Sequence, residues 1–359
     1  MSNHARVNIF DLDHSELASI VASWGEPGYR ASQIWQGLYQ NLWEEPEQFT
    51  TLPKELRLRL GEELAFSRLT KEQVLQSTDG ETEKTLFRLP DQRAIETVLM
   101  HYRQRRTLCI STQAGCAMGC VFCATGQMGF QRNLSSGEIV EQVIYYARQL
   151  QLVNEKITNI VVMGMGEPFH NYDATLQSID RLTHPEGMSL GARRFTISTV
   201  GLVPAIRRFT SERRQVNLAI SLHAADDEHR AVLLPIDKKY PIAEVIQACR
   251  EYVEQTRRRV TFEWALIKDV NDGIDQARLL ATLLQGLLCH VNVIPLNPTH
   301  GYAGQATTRQ RALAFKAELE RHGIPCSIRL RRGIDIQAGC GQLAVQKSSI
   351  GSDHQRRLE

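Results

Sequence analysis

Apolar and polar positions repeat along this chain with two different periods. Over the first 65 residues the period is helical: Ile34, Leu38 and Leu42 recur with Trp35 beside them, and 15–23, 31–42 and 54–64 share that spacing. Ser32 stands where a cap for the second helix is expected, and Pro53 where the third opens. Gly25-Glu26-Pro27-Gly28 and Glu44-Glu45-Pro46 read as turns between them. The expectation is a small helical domain over 1–65. A strand-rich connection follows over 66–101, with strands at 84–88 and 94–100.

From Thr107 the pattern becomes strand, loop and helix, repeated. Short Val-, Ile- and Leu-rich runs predict strands at 107–111, 157–163, 194–198, 216–222, 260–267 and 290–296. Helical spacing marks 136–150, 172–182, 241–256, 274–287 and 308–322; Leu279, Leu280, Leu283, Leu284 and Leu287 form one apolar stripe. Strands of this composition are expected to be parallel and buried on both faces. Six such units predict an α/β fold, a partial parallel (β/α)6 barrel over 102–335 with a β-hairpin extension. Residues 336–359 are left as a C-terminal loop and tail.

Composition narrows the class. Hydrophobic residues at 42% and charged residues at 23% are ordinary for a globular protein, which excludes a disordered or fibrous chain. No apolar run approaches the ~20 residues that cross a bilayer, and the N-terminus lacks a basic region followed by an apolar one. The expected compartment is the cytoplasm, with no membrane partner. There the eight cysteines are ligands, nucleophiles or core fillers rather than disulfides. The net charge of +2 hides arginine clusters at 103, 105 and 106, at 207, 208, 213 and 214, at 257–259, and at 329, 331 and 332. Each reads as a solvated face unless the fold brings them together, in which case they make a phosphate-binding surface.

Cys116-Ala-Met-Gly-Cys120-Val-Phe-Cys123 places three thiols in one loop just past the first barrel strand. Structural zinc takes four protein ligands, and no fourth lies in the loop. Three cysteines on a four-iron cluster leave one iron open for chemistry. Polar or glycine-rich groups follow the other barrel strands: Gly164-Met165-Gly166-Glu167-Pro168, Ser198-Thr199, Ser221 with His223, Lys268 and Asn297-Pro298. Strand ends on that side form the mouth where such barrels hold their sites.

The loop and its position resemble the radical S-adenosylmethionine (SAM) superfamily, with Phe122 at the usual aromatic position. Cys340, flanked by Gly339 and Gly341, and Cys109 in Thr107-Leu-Cys-Ile-Ser-Thr112 narrow this further. With Met163–Asn171 and Val293–Thr299 they make the chain similar to the RlmN/Cfr family of RNA methyltransferases, from about Tyr29 to Leu343. Pro168 fits the RlmN branch better; Gly339, where relatives often carry Ala, and a short 299–307 loop depart from the pattern. The resemblance implies a radical-SAM barrel with a 4Fe-4S cluster on Cys116, Cys120 and Cys123. It implies SAM held by Gly166, Glu167, Ser198, Ser221, Leu222, His223 and Asn297, two SAM per turnover, and a low-potential donor such as flavodoxin or ferredoxin. Cys340 would accept a methyl group, carry it to adenine as a radical and form a covalent RNA adduct. Cys109 would resolve that adduct as a disulfide. The implied target is C2 of adenosine 2503 in 23S rRNA and of adenosine 37 in tRNA, by a monomer. Methylation at C8 is the near alternative. A non-catalytic metal-containing RNA-binding protein is the distant one, and it gives Cys109 and Cys340 no role.

Glu96 is the candidate base, a carboxylate within an apolar strand. A hairpin turning at Tyr102-Arg103 would set it opposite Cys109, and any odd pairing sum keeps both on one sheet face. The alternative is a carboxylate paired with an arginine. Tyr29, Arg30, Trp35 and Tyr39 are candidates for RNA stacking and phosphate contacts if they are not core. Cys249, Cys289 and Cys326, among apolar neighbours, read as packing.

Overall fold

The structure, a computed structural model, describes residues 6–344; residues 1–5 and 345–359, most of the expected tail, lie outside the described residues. Ten strands form one open sheet in which strands successive along the chain are neighbours throughout. β1 (Thr70–Gln76), β2 (Thr82–Arg88), β3 (Ala94–Tyr102) and β4 (Arg105–Cys109) make an antiparallel meander. From β4 the sheet turns parallel, through β5 (Asn159–Val162), β6 (Phe195–Thr199) and β7 (Asn217–Ser221). It ends with β8 (Val260–Leu266), β9 (Cys289–Pro295) and β10 (Cys326–Ile328).

Helices Ser136–Leu152, Tyr172–Thr183, Val203–Ser211, Ile242–Thr256, Ile274–Leu284 and Arg309–Arg321 make the six crossovers. The predicted α/β architecture is therefore present, with each predicted strand and helix inside a residue or a few of its expected bounds. β1, β10 and the helices Val203–Ser211 and Asp227–Leu233 are additions. β1 is an exposed edge carrying Lys71 and Glu72, so it has no apolar face to betray it. β10 has only three residues.

The parallel strands are not buried on both faces as expected. One face of β6 puts Phe195 and Ile197 under the helices, fully buried, while Thr196 and Ser198 on the other stay half-buried. Thr107, Asn159, Thr196, Asn217, Thr261 and Asn292, from β4 to β9, all line one space at the amino-terminal end of the strands. The sheet curls so that this inner face encloses a hollow, and polar side chains there keep contact with water.

The N-terminal helices His14–Ser23, Tyr29–Tyr39 and Lys54–Glu63 sit on helix Ser136–Leu152. Buried Glu141 of that helix accepts from Asn8 Nδ2 (2.7 Å), Ser67 Oγ (2.8 Å) and the Arg68 amide (2.7 Å). Arg148, about two turns on, donates to the carbonyls of Leu42 and Trp43. Trp35 and Tyr39 are 1% exposed and belong to the same continuous core as the sheet, so neither is free to stack on RNA; Tyr29, 57% exposed, is. The second helix begins at Gly28 rather than Ser32, which lies inside it and meets His14 Nε2 at 3.3 Å. Pro53 caps the third, as its position suggested.

Candidate active site

The loop after β4 is pinned at both ends. Gly115, at φ +72°, packs so tightly that a Cβ would lie 1.9 Å from the Gly129 carbonyl, and Cys116 donates to that same carbonyl. Cys116, Cys120 and Cys123 then line one hollow at the carboxyl ends of the strands. Burial pushes each thiol up, Cys116 to about 12; Cys123 raises both Cys116 and Cys120 further, and Cys340 raises Cys123. Unliganded they are thiols; a polycationic group held by all three would turn them into thiolates. Among the described residues no three His, Cys, Asp or Glu converge tightly enough for a single metal ion. The donor set suits a larger group with iron at several corners, leaving one iron without a protein ligand.

The strand-end residues divide into those that face the hollow and those that build it. Ser198 and Ser221 face it, their hydroxyls 3.2 Å apart. His223, at φ +63°, accepts the Ala265 amide at Nδ1 (2.9 Å) and meets Phe122 edge-on at 4.9 Å. Burial holds its pKa down to about 3, so the ring is neutral, and with Nδ1 accepting, the remaining hydrogen is on Nε2. Asn297 donates Nδ2 to the Cys340 carbonyl (3.0 Å), and its buried Oδ1 has no protein partner. An unmet acceptor inside a hollow is what a ligand with N–H groups would satisfy.

Gly166 and Glu167 also line the hollow. Gly166 sits at φ +105°, and a Cβ would strike the Gln113 side chain at 2.6 Å, so the glycine is required by backbone packing as well as by any ligand. Glu167 is spent on the scaffold, accepting from the Phe169 and Val200 amides, each at 3.0 Å. Leu222 is not brought into the hollow. Its side chain is fully buried in the core, its N–H goes to the Glu263 carbonyl and its own carbonyl accepts from Arg230.

Cys109 and Cys340 meet in a second hollow, which shares Met163, Ile294, Asn297, Arg329 and Cys340 with the first. Cys340 is exposed while Cys109 is buried. Burial pushes Cys109 up to about 12, the neighbouring Cys340 adds to this, and Arg329 opposes it. Residues flanking Cys340 are tied down: Ala124 N–H donates to the Gly341 carbonyl (2.7 Å) and Thr125 Oγ1 to that of Leu343 (2.6 Å). Gly341 takes φ +82°; Gly339 has no such angle but leaves room for the Asn297 amide, 2.7 Å from where a Cβ would stand. Cys249, Cys289 and Cys326 are buried in the core, as expected.

Glu96 lies elsewhere than directly opposite Cys109. The hairpin turns at Arg103-Gln104 and pairs Cys109 with Val98, so Glu96 is one pleat along on the same face. Its carboxylate is 2.8 Å from Lys84 Nζ and accepts the Ala344 amide at 3.0 Å. The partner is a lysine in place of the arginine considered. Burial raises its pKa, against the pull of Lys84.

The comparisons with known proteins agree with this geometry. Residues 110–280 match the Radical SAM superfamily and residues 7–65 the Ribosomal RNA large subunit methyltransferase N-terminal domain. A probable dual-specificity RNA methyltransferase RlmN of Chloroflexus aurantiacus is 50% identical over 351 residues, spanning 95% of this chain and 93% of that protein. The chain belongs to the RlmN family. Dual-specificity RNA methyltransferase RlmN 1 of Myxococcus xanthus is 46% identical over 96% of both chains. A crystal structure of a radical SAM methyltransferase from Sphaerobacter thermophilus superposes with a TM-score of 0.93, at 50% identity, over 95% of this chain and all of that one. The radical SAM fold implies a 4Fe-4S cluster and SAM. No helix among the described residues is long and apolar enough to cross a membrane.

Proposed function

We propose that this RlmN-family chain methylates C2 of an adenosine, in the peptidyl-transferase region of 23S rRNA and beside the anticodon in tRNA, through a methyl group carried on Cys340. The reading rests on one observation: Cys109 and Cys340 share a hollow that opens into the one lined by Cys116, Cys120 and Cys123. The relatives' names supply the RNA and the two specificities.

Each residue then has a task. Cys340, exposed on its tethered loop, is the nucleophile: its S–CH3 bond forms as a methyl–sulfonium bond of SAM breaks. A 4Fe-4S cluster on Cys116, Cys120 and Cys123, with a second SAM, supplies the one-electron chemistry that removes hydrogen from that methyl. Ser198, Ser221, the His223 Nε2–H and the free Asn297 Oδ1 offer the donors and acceptor to hold SAM, with the Gly166 turn beside them. The Cys340 methylene radical then bonds adenine C2, and the adduct gives up its one unpaired electron, for which a cluster on Cys116, Cys120 and Cys123 would be the acceptor. Glu96 is assigned the C2 proton. Cys109 attacks the Cys340 sulfur, an S–S bond forms, the S–C bond breaks, and the released carbon is protonated to a methyl group. Two electrons must then reduce the disulfide. A flavodoxin or ferredoxin in the cytoplasm is a donor of the right class.

Anaerobic turnover with SAM, reductant, an rRNA fragment and unmodified tRNA tests the assignment, with product nucleosides resolved by mass spectrometry. 2-Methyladenosine from both RNAs is the expected result. 8-Methyladenosine would overturn the regiochemistry, and SAM cleavage with no modified RNA would overturn the substrate.

A further inference from the structure

A large concavity, about 1060 Å³, lies at the amino-terminal end of the parallel strands, opposite the three-cysteine loop. Arg105, Arg193, Arg194, Arg257, Arg258 and Arg259 stand along it, contributed by the segments that enter β4, β6 and β8. Among the described residues none of the six makes an ion pair, although arginines over the rest of the surface do so repeatedly: Arg207 with Glu251, Arg208 with Asp173, Arg214 with Asp180. Within the described residues Arg257 and Arg259 have no side-chain hydrogen bond, while Arg258 is oriented by Gln215 and Asn217. Six uncompensated guanidinium groups around one opening repel one another, an arrangement that a polyanion relieves.

The concavity is also continuous with the active site. Its inner end is lined by Met163 and Arg329, which line both the hollow of Cys109 and Cys340 and that of the cysteine loop. The half-buried polar side chains of the strand starts, Asn159, Thr196 and Asn217 among them, form its walls, where a packed barrel floor would carry branched apolar residues. Charge gathers at the rim, and a polar shaft runs from it towards Cys340.

We propose that RNA docks across this amino-terminal mouth, its phosphates on the six arginines, and that the target adenosine leaves its stack and rises through the barrel to Cys340 from the side opposite the cluster. The proposal rests on the RNA methyltransferase reading. It identifies the exposed, paired Arg207 and Arg208 face as lying outside the interface.

The test uses the full chain with unmodified tRNA transcript, measuring affinity at several salt concentrations. Arg193→Gln, Arg257→Gln and Arg259→Gln combined remove three exposed charges that hold no buried group. The expected result is at least a ten-fold loss of affinity and a salt dependence shallower by about two units of log–log slope, at ~0.7 per phosphate for a single strand. Arg207→Gln with Arg208→Gln should change neither. Unaltered affinity and slope in the triple variant would overturn the mouth as the docking face. Wild-type protein that neither binds nor methylates the transcript would overturn the RNA reading, and this proposal with it. Independently of any loss of folding, a photoreactive benzoylphenylalanine at position 259 should crosslink to the bound transcript and one at position 208 should not. The reverse pattern would overturn the proposal.

Discussion

Lys84 Nζ lies 2.8 Å from Glu96 Oε1, with both side chains nearly sealed from solvent, and the pair clamps the two shoulders of the Cys340 loop. Lys84 donates to the Gln337 carbonyl before Cys340, and Glu96 accepts the Ala344 amide after it. The candidate base is thus also an anchor, and two substitutions separate these roles. Glu96→Gln keeps an acceptor for Ala344 but cannot take a proton. It should lower turnover by about 10²–10⁴ and leave RNA attached to protein. Lys84→Met removes the cation that opposes burial, so the Glu96 pKa rises further and its carboxylate appears only at higher pH. The acid limb of the pH profile for adduct release should therefore move up in Lys84→Met and stay put in Lys84→Arg. An unmoved limb in Lys84→Met would show that Glu96 serves only as an anchor.

Cys109 cannot resolve an adduct as a thiol, and burial holds it as one, with a pKa of about 12. Cys340 contributes to that elevation and Arg329 opposes it. Once the Cys340 sulfur is bonded to carbon that raising contribution is removed, while the opposing pull of Arg329 on Cys109 remains. Deprotonation of Cys109 is thereby favoured after the first half of the reaction and disfavoured before it. In Cys340→Ala the pH at which iodoacetamide captures Cys109 should fall below that of the parent chain. Arg329→Gln should raise it. Equal midpoints in all three proteins would remove this coupling. With RNA, SAM and reductant, Cys109→Ala should accumulate covalent RNA–protein adduct, whereas Cys340→Ala should form none, as read on a denaturing gel.

Periodicity made most of the barrel legible because five of the six crossover helices are long enough to show an apolar face and six parallel strands carry branched runs; the nine-residue Val203–Ser211 and the three-residue β10 are too short to show either. The cysteine loop was legible because its three thiols are close together in sequence. What escaped depended on contacts between distant segments. Trp35 and Tyr39 look like a stacking surface until the core shared with the sheet covers them. Lys84 is invisible as a partner of Glu96 without the β2–β3 register, which offsets the two by one pleat on a common face. The hollow interior did leave a trace that was available: Thr196 with Ser198, Thr261 with Glu263 and His290 with Asn292 alternate polar residues through otherwise apolar strands. That period of two is the mark of a solvated inner face.

Two buried groups near the site set opposite pH dependences of stability. His223 falls from an ordinary 6.5 to about 3 in the folded chain, so it stabilises fully above pH 6.5 and its contribution is lost as pH falls towards 3. Glu167 rises from 4.5 to about 7, so folding favours its protonated form, and that contribution is lost as pH rises from 4.5 through 7. Between pH 4.5 and 6.5 the two slopes, each about 1.4 kcal/mol per pH unit, oppose one another. Denaturant titrations should show His223→Gln flattening the loss of stability below pH 4.5, where Glu167 no longer changes. A parallel pair of curves there would mean that the imidazole is not held neutral.

Gly341 and Gly339 flank the same cysteine but are glycines for different reasons, and substitution should tell them apart. Gly341 sits at φ +82°, where a side chain costs about 1–2 kcal/mol through its own backbone, while nothing lies within 3.4 Å of its absent Cβ. Gly339 has an ordinary φ, but a Cβ would stand 2.7 Å from both Asn297 Nδ2 and Gln342 Oε1. Those are ends of movable side chains, so alanine there is accommodated by shifting Asn297 away from the Cys340 carbonyl. Gly341→Ala should release the Ala124 contact and loosen the Cys340 loop, slowing methyl loading of Cys340 several-fold with SAM affinity little changed. Gly339→Ala should instead weaken SAM binding through Asn297, and Asn297→Ala should reproduce that loss. Single-turnover loading measured by mass spectrometry of the intact chain, over a range of SAM concentrations, separates the two. If Gly339→Ala slows loading at saturating SAM while its SAM affinity is unaltered, Asn297 is not the group through which Gly339 acts.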